Sequence, residues 1–555
     1  MSYRTQFSFF KQAHCAVYLD SAATTQKLDA VSQRVDDFSR LKNASVHRGG
    51  YALATQATTE FEDARSEIAQ FIHANSSDEV VFTSGATESV NMIAQGLHPN
   101  MLRGNTILLS ESEHHANILP WQALAKRLNL VIKVLPLEVN GVFSKSTLQS
   151  WLNAFTDDVA IFACAHVSNV LGNIYPIQTL CEHATTMRAI SVIDGTQALA
   201  HLPVDVQSLG CDFYVFSGHK MYAPTGIGIC WGKRHLLEAL DPSKLGGEMV
   251  TNVSFTDYST QPPPLKFEAG TPNISGALGL QEACRFLNRN FKGIQSHEHE
   301  LYQYMLNELA KFPELTILGN QQSSIGLLSF CCATKDNHSI AMQLYSQGIA
   351  LRFGQHCAMP LFNALGIDAC LRISIGCYND YNDINRFIEA LQNALRQTHL
   401  TDIEQVALSN HTRQTNKEHK LTSDYHWEVN IKHAKNWSEK HRQLLLLSKA
   451  LPLLEPSNRV PSNAVQGCEA NVWLHKAEHS GELRSYSDSK VIRGILAVLL
   501  LKHNHLLESQ SKQHAARFDY LEYLNSLGLS DYFSTGRKDG VRSVVMKMRV
   551  LYDPS

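Results

Sequence analysis

Through the first 400 residues, short apolar runs alternate with stretches of helical spacing. Val80-Val81-Phe82, Val159 to Ala165, Ser191-Val192-Ile193 and Phe213 to Phe216 read as strands buried on both faces. Each leads into polar or glycine-containing residues and then into a helical pattern. This is α/β grammar, and it places sites at the carboxyl ends of strands. Residues 285–311 and 380–397 carry the spacing of amphipathic helices.

From Thr401 to Asp424 the pattern stops. TDIEQVALSNHTRQTNKEHKLTSD is polar and has no sustained apolar period. It reads as a linker with a random-coil reach of about 27 Å, from roughly 5–6 Å × √24. Beyond it, Trp437 to Leu454 reads as an amphipathic helix ended by Pro452. Ala470 to Leu474 reads as a strand, and Asp488 to Leu501 as a buried helix. The expected organisation is a domain over 1–400, a linker over 401–424 and a second domain over 425–555. There is no internal repeat.

Composition narrows the class. The chain has 555 residues, 49 basic and 52 acidic, for a net charge of −3. That excludes a strongly basic nucleic-acid binder and an acidic disordered tail. Residues 401–555 carry 21 Lys and Arg against 17 Asp and Glu, and residues 1–400 carry 28 against 35. Opposite signs can favour docking of the two parts, or can arise by chance on two solvated surfaces. Met1 to Phe10 has no apolar core of a secretory signal, and no apolar run approaches the ~20 residues of a membrane span. A cytoplasmic protein is expected. Twelve cysteines are too sparse for a disulfide scaffold, and none forms Cys-x-x-Cys, so no metal site is expected. Eleven lie before the linker and one, Cys468, after it.

Candidate chemistry centres on Lys220. The segment Asp212 to Lys220 runs from a strand into Ser217, Gly218, His219 and Lys220. A lysine just beyond a buried strand can carry an aldehyde cofactor, with Ser217 and His219 on its phosphate. Val192 to Gln197 puts Asp194 at another strand end, where a carboxylate can keep a pyridine nitrogen protonated. Alone, this pair equally describes an exposed lysine and a helix-capping aspartate. Further parts join it. Phe82 to Glu88 is a strand, then small residues, then a helix start, whose amides and Thr87 hydroxyl can hold phosphate. His114, within Glu113-His114-His115, can stack on a planar ring, although adjacent histidines are also an ordinary surface pair. Asn169 can reach a ring hydroxyl. No Gly-x-Gly-x-x-Gly stands near Gly226 and Gly228, so a dinucleotide is not supported.

These residues resemble a pyridoxal-phosphate-dependent cysteine desulfurase of the SufS/CsdA type. The matching stretches are Tyr18 to Thr24, Val46 to Arg48, Thr87-Glu88, Glu113 to Asn117, Ser168-Asn169 and Asp194 to Gln197. They continue through Ser217 to Gly228, Phe267 to Asn273, Arg352 to Ala358 and Leu371-Arg372, in the family's order across residues 10–395. Two departures stand out. Ser84 replaces the arginine usual in close relatives, and Ala223 replaces a usual glycine. Neither removes a group the chemistry requires.

The resemblance implies fold-type I, the aspartate-aminotransferase-like α/β fold, pyridoxal 5′-phosphate as cofactor and a homodimer in which Thr271 binds phosphate across the interface. It implies conversion of L-cysteine to L-alanine. Lys220 would hold the cofactor and then remove the Cα proton, with His114 on the ring and Gln197 and Asn169 near its phenolic oxygen. Arg372 would clamp the substrate carboxylate, which lysine cannot copy, assisted by Arg352. Cys357 would attack the substrate sulfur and become a persulfide. The other ten cysteines of the first domain read as small buried hydrophobes.

The short connection from Arg352 to Pro360 cannot swing a persulfide far, so an acceptor must reach in. Val465 to Leu474 resembles the active-site stretch of SufE/CsdE-type acceptors, which puts Cys468 as the receiving thiol in a small α+β domain. Asn436 to Pro452 and Ser487 to Leu500 match that family's helical regions, and Arg537 its basic turn. Asp488 is open between a role and a helix cap, and Trp473 reads as core. A downstream recipient such as an iron–sulfur scaffold is expected, with no direct nucleic-acid contact. Selenocysteine lyase or cysteine sulfinate desulfinase activity is the enzymatic alternative, and a non-catalytic sulfur carrier the alternative of another class. Selenium elimination does not need the cysteine nucleophile, so Cys357 separates the first two.

Overall fold

The computed structural model describes residues 3–12, 16–322, 324–396, 428, 431–432, 437–448, 451, 454–466, 471–477, 483–509, 518–529 and 535–552. The chain divides into two compact units, Met1–Thr412 and Arg413–Ser555. The stretch 401–424 read as a linker lies outside the described residues, as do Gly467 and Cys468.

A seven-stranded sheet organises the first unit. Its order is Val80–Thr83, Gly228–Gly232, Phe213–Ser217, Ile190–Asp194, Val159–Ala165, Thr106–Ser110, Val131–Leu135. All neighbours are parallel except Gly228–Gly232, which runs antiparallel to both of its own. Helices covering both faces leave no polar side, so Val159–Ala165 and Phe213–Ser217 are buried at every position. Every strand expected from apolar runs in this unit is present, Val159–Ala165 with the same bounds and the others extended by a residue or two.

Because parallel strands share a direction, their carboxyl ends open on one edge of the sheet. Gly228 brings the antiparallel strand against that edge. A Cβ there would lie 2.5 Å from the Gly85 Cα, so only glycine permits this approach.

A smaller antiparallel sheet follows, ordered Leu315–Leu318, Leu327–Cys332, Cys370–Ser374, Arg352–Gly354. The helix Ile274–Leu309 joins the two layers. Its 36 residues span about 54 Å at 1.5 Å per residue. Ile274 to Leu287 pack into the large core, and Leu301 to Leu309 into the core of the small sheet. It begins well before the residue 285 expected, because the Asn273 side chain accepts from the Gly276 N–H at 2.9 Å and caps the first turn.

The second unit has its own apolar core. Helices Trp437–Leu447 and Lys490–Ser509 cross at Gly494, where a Cβ would lie 2.2 Å from the Leu444 carbonyl. Val472–Lys476 pairs antiparallel with Leu483–Ser487, two residues later than the strand expected from 470–474. Trp473 is half-buried against Tyr486, its cross-strand partner, rather than in the core. Asp488 does not cap the following helix; its carboxylate accepts from the Asn471 amide at 2.8 Å, while Ser489 stands at the helix start. Arg537 lies in the helix Thr535–Tyr552. Among the described residues, no helix is long and apolar enough to cross a membrane.

Candidate active site

The strand ends of the large sheet open on a cavity of about 230 Å³. Thr87, His114, Asn169, Asp194, Gln197, Ser217, His219, Lys220, Arg352, Cys357 and Arg372 all line it. Thr271 is exposed and does not.

Lys220 ends the short turn Gly218–Lys220 directly after the strand Phe213–Ser217. The turn is pinned through the His219 carbonyl, which accepts from the hydroxyls of Thr24 and Thr25 at 3.1 Å and from Lys27 Nζ at 3.0 Å. The Lys220 amine faces the cavity, ringed by protein. Burial, and then the positive charge of Arg372, push its pKa down to about 8. Asp194 ends its strand, buried, with Oδ1 accepting from the Thr196 N–H at 3.0 Å. His114 accepts at Nδ1 from the Ala116 N–H at 3.0 Å, which puts the proton of its neutral ring on Nε2. Burial and Lys220 hold this ring down to about 4.

At one end of the cavity the helix Ala86–Gly96 begins. The Ala86 N–H donates to Ser217 Oγ at 2.8 Å, and Thr87 is exposed in the first turn. Free amides and a favourable dipole make this a seat for an anion. Gln197 donates one amide N–H to the Ala22 carbonyl at 2.8 Å.

The opposite end is cationic by register. Arg352 and Arg372 are directly opposed across the small sheet. Like charges so placed repel, and their pairing here marks a site for a carboxylate. Arg372 is buried; it donates to the Asn169 carbonyl at 2.8 Å and to Asp20 Oδ1 at 3.1 Å, and its Nε has no partner. Asp20, part of the matching stretch Tyr18 to Thr24 but given no role from sequence, supplies the countercharge. It lies 352 residues away in the chain, so no local spacing marks it.

Cys357 is exposed, on the loop that follows Arg352–Gly354. Of the other described cysteines in the first unit, all are buried except the half-buried Cys331, and Cys15 lies outside the described residues. Asn169 uses one amide N–H on the His356 carbonyl at 2.8 Å, a contact to the cysteine loop that its expected cofactor role did not include.

These buried groups set a pH dependence. His114, His166 and His219 are each held down to about 4, by burial first. A histidine depressed in the folded state takes up a proton on unfolding, so its contribution is lost as pH falls from about 6.5 to about 4. Glu113 acts oppositely. Burial raises it to about 7, so its contribution is lost as pH rises through that value. His356 and His503 are lowered as well, and His47 is raised by Glu62. The lowered imidazoles outnumber the raised groups, and the thermal midpoint of the full chain should drop on the order of 5 °C from pH 7 to pH 5. A midpoint that rises over that interval contradicts these assignments.

Residues 17–387 match the model of the class-V aminotransferases. The chain belongs to that family. Residues 427–551 match a second model, SufE, described as an Fe-S metabolism associated domain. A probable cysteine desulfurase of Halalkalibacterium halodurans is 43% identical over 378 residues, covering 68% of this chain and 92% of that protein. One from Vibrio cholerae is 41% identical, covering 71% and 97%. The crystal structure of the cysteine desulfurase CsdA from Escherichia coli superposes with a TM-score of 0.66 at 38% identity, covering 71% of this chain and 98% of that one.

Class-V aminotransferases of this kind use pyridoxal 5′-phosphate, and the cavity fits it. An amine of lowered pKa, a carboxylate tied to backbone at a strand end, and an anion seat at a helix start all face one space.

Proposed function

We propose that the chain is a cysteine desulfurase that takes L-cysteine to L-alanine, leaves the sulfur on Cys357 as a persulfide, and passes it to Cys468. The observation that carries this reading is that Lys220, Asp194, Arg372 and Cys357 line a single cavity.

Bound pyridoxal 5′-phosphate supplies an electron sink for charge developing at the substrate Cα. Asp194 would keep the pyridine nitrogen protonated, and the neutral ring of His114 would pack on the cofactor. Ser217, His219 and Thr87 would hold its phosphate, and Gln197 and Asn169 would serve its phenolic oxygen. Arg372 takes the substrate carboxylate through its unpartnered Nε and a terminal nitrogen, with Arg352 beside it. Lys220 Nζ removes the Cα proton. The Cys357 thiolate then attacks the substrate sulfur. An S–S bond forms, the C–S bond breaks, and its electron pair stays on the β carbon, which is protonated to the alanine methyl.

In the second step the Cys468 thiolate attacks the outer sulfur of the Cys357 persulfide. Cys357 leaves as a thiolate, and no oxidant or reductant is consumed. Tethering the acceptor keeps its effective concentration near millimolar. The homodimer is what the family resemblance implies, with the partner's cofactor phosphate given to Thr271. Thr271 is exposed outside its own cavity, while Asn273 beside it donates to the Gly226 carbonyl at 2.8 Å, next to the Lys220 loop. The description of the second family, Fe-S metabolism, supports a recipient in iron–sulfur assembly.

The relay is tested with isotopically labelled L-cysteine on the holoenzyme. Cys468→Ser should keep labelled persulfide on Cys357 and lose multiple turnover without added reductant. A Cys468→Ser variant that turns over at the full rate without reductant excludes the relay.

A further inference from the structure

The turn that presents Cys357 adopts a backbone its own residues disfavour. His356 and Cys357 have φ of 48° and 57°, consecutive left-handed positions without a glycine. Such a turn persists only where its surroundings over-determine it. Asn169 supplies one restraint through the His356 carbonyl. The Ala358 N–H closes the turn onto the Gln355 carbonyl at 2.8 Å, and the His356 ring lies 3.3 Å from Cys370 Sγ. Two more restraints come from His115. Its backbone N–H donates to the Cys357 carbonyl at 2.7 Å, and its ring Nε2 accepts from the Met359 N–H at 3.0 Å. These contacts bracket Cys357 on both sides.

His115 is half-buried and does not line the cavity. It begins the turn His115–Asn117, directly after the cavity-lining His114. One residue therefore ties the cysteine turn to the loop that carries the ring-facing imidazole. Lys220, Asp194 and Arg372 stand on other elements and make no hydrogen bond to it.

We propose that His115 is a positioning residue, whose Nε2 holds the Cys357 turn so that Sγ faces the substrate sulfur. This rests on Cys357 being the nucleophile. The ring must accept at Nε2, so its proton sits on Nδ1. Without the acceptor, the turn relaxes towards an ordinary backbone and Sγ moves. A displacement of about 1 Å at a reacting atom costs up to about a hundredfold in rate. Cofactor binding, carboxylate binding and proton removal at Cα stay in place.

The test compares His115→Leu, His115→Gln and Cys357→Ala as full-length holoenzymes. His115→Leu should lower kcat for L-cysteine about tenfold to a hundredfold, with KM within about twofold of wild type. Its cofactor absorbance and its turnover of L-selenocysteine should be unchanged. His115→Gln offers an oxygen acceptor of similar reach and should recover cysteine turnover to within about threefold. Equal losses on cysteine and selenocysteine, or a glutamine variant no better than leucine, overturn the role of His115. So does His115→Leu at the wild-type rate beside an inactive Cys357→Ala. If Cys357→Ala itself retains cysteine turnover, the nucleophile assignment falls, and the His115 role with it.

Discussion

Lys220→Ala should lower alanine formation from L-cysteine by about 10²–10⁴-fold, the range a positioned general base contributes. The argument starts from the amine. At the ordinary lysine pKa of 10.5, fewer than about one in a thousand amines is free at pH 7. Held down to about 8, roughly a tenth is free. Burial and Arg372 therefore make Lys220 a usable base near neutral pH. The sign follows directly. In the wild-type enzyme, kcat should rise from pH 7 to pH 9 as the ammonium loses its proton. Lys220→Ala should lose that rise along with the covalently held cofactor's absorbance, and added methylamine should restore part of the turnover. Lys220→Ala within about threefold of wild type would remove Lys220 from the mechanism.

Cys357→Ala should abolish cysteine turnover while leaving cofactor binding intact. Cys357 is the exposed cysteine among those described in the first unit, and it lines the same cavity as Lys220 and Arg372. The buried thiols Cys164, Cys211, Cys230 and Cys377 are pushed well above their ordinary pKa by burial, so they are poor thiolate sources. None of them should substitute. Selenocysteine turnover should survive in Cys357→Ala, because selenium leaves without a thiol nucleophile. Equal loss on both substrates would place Cys357 in binding or folding rather than in sulfur abstraction.

Local chemistry was legible in the sequence, and long-range geometry was not. Strands of the large sheet appear as unbroken apolar runs because both of their faces are covered, as in Val159–Ala165. Strand ends carry Asp194 and Lys220, so an α/β reading already brings them together. The small sheet is different. Its decisive feature is the register that sets Arg352 against Arg372, twenty residues apart on antiparallel strands. Spacing does not encode that register, nor does it reveal Asp20 as the countercharge. The left-handed turn at His356 and Cys357 is equally silent, because neither residue is the glycine that normally signals such a backbone. In the second unit the strand Val472–Lys476 sits later than its apolar pattern. Its alternate residues Val472 and Leu474 are buried in the core of the unit, while Trp473 and His475 pair across the strands with Tyr486 and Arg484.

The most direct test of the account is the mass of Cys357-containing peptides after one equivalent of L-cysteine, with alanine counted in the same sample. The Cys468→Ser holoenzyme keeps the sulfur from moving on. The account predicts one alanine for each Cys357 that gains one sulfur atom. Alanine formed while Cys357 keeps its original mass, with the sulfur released as sulfide, would contradict it.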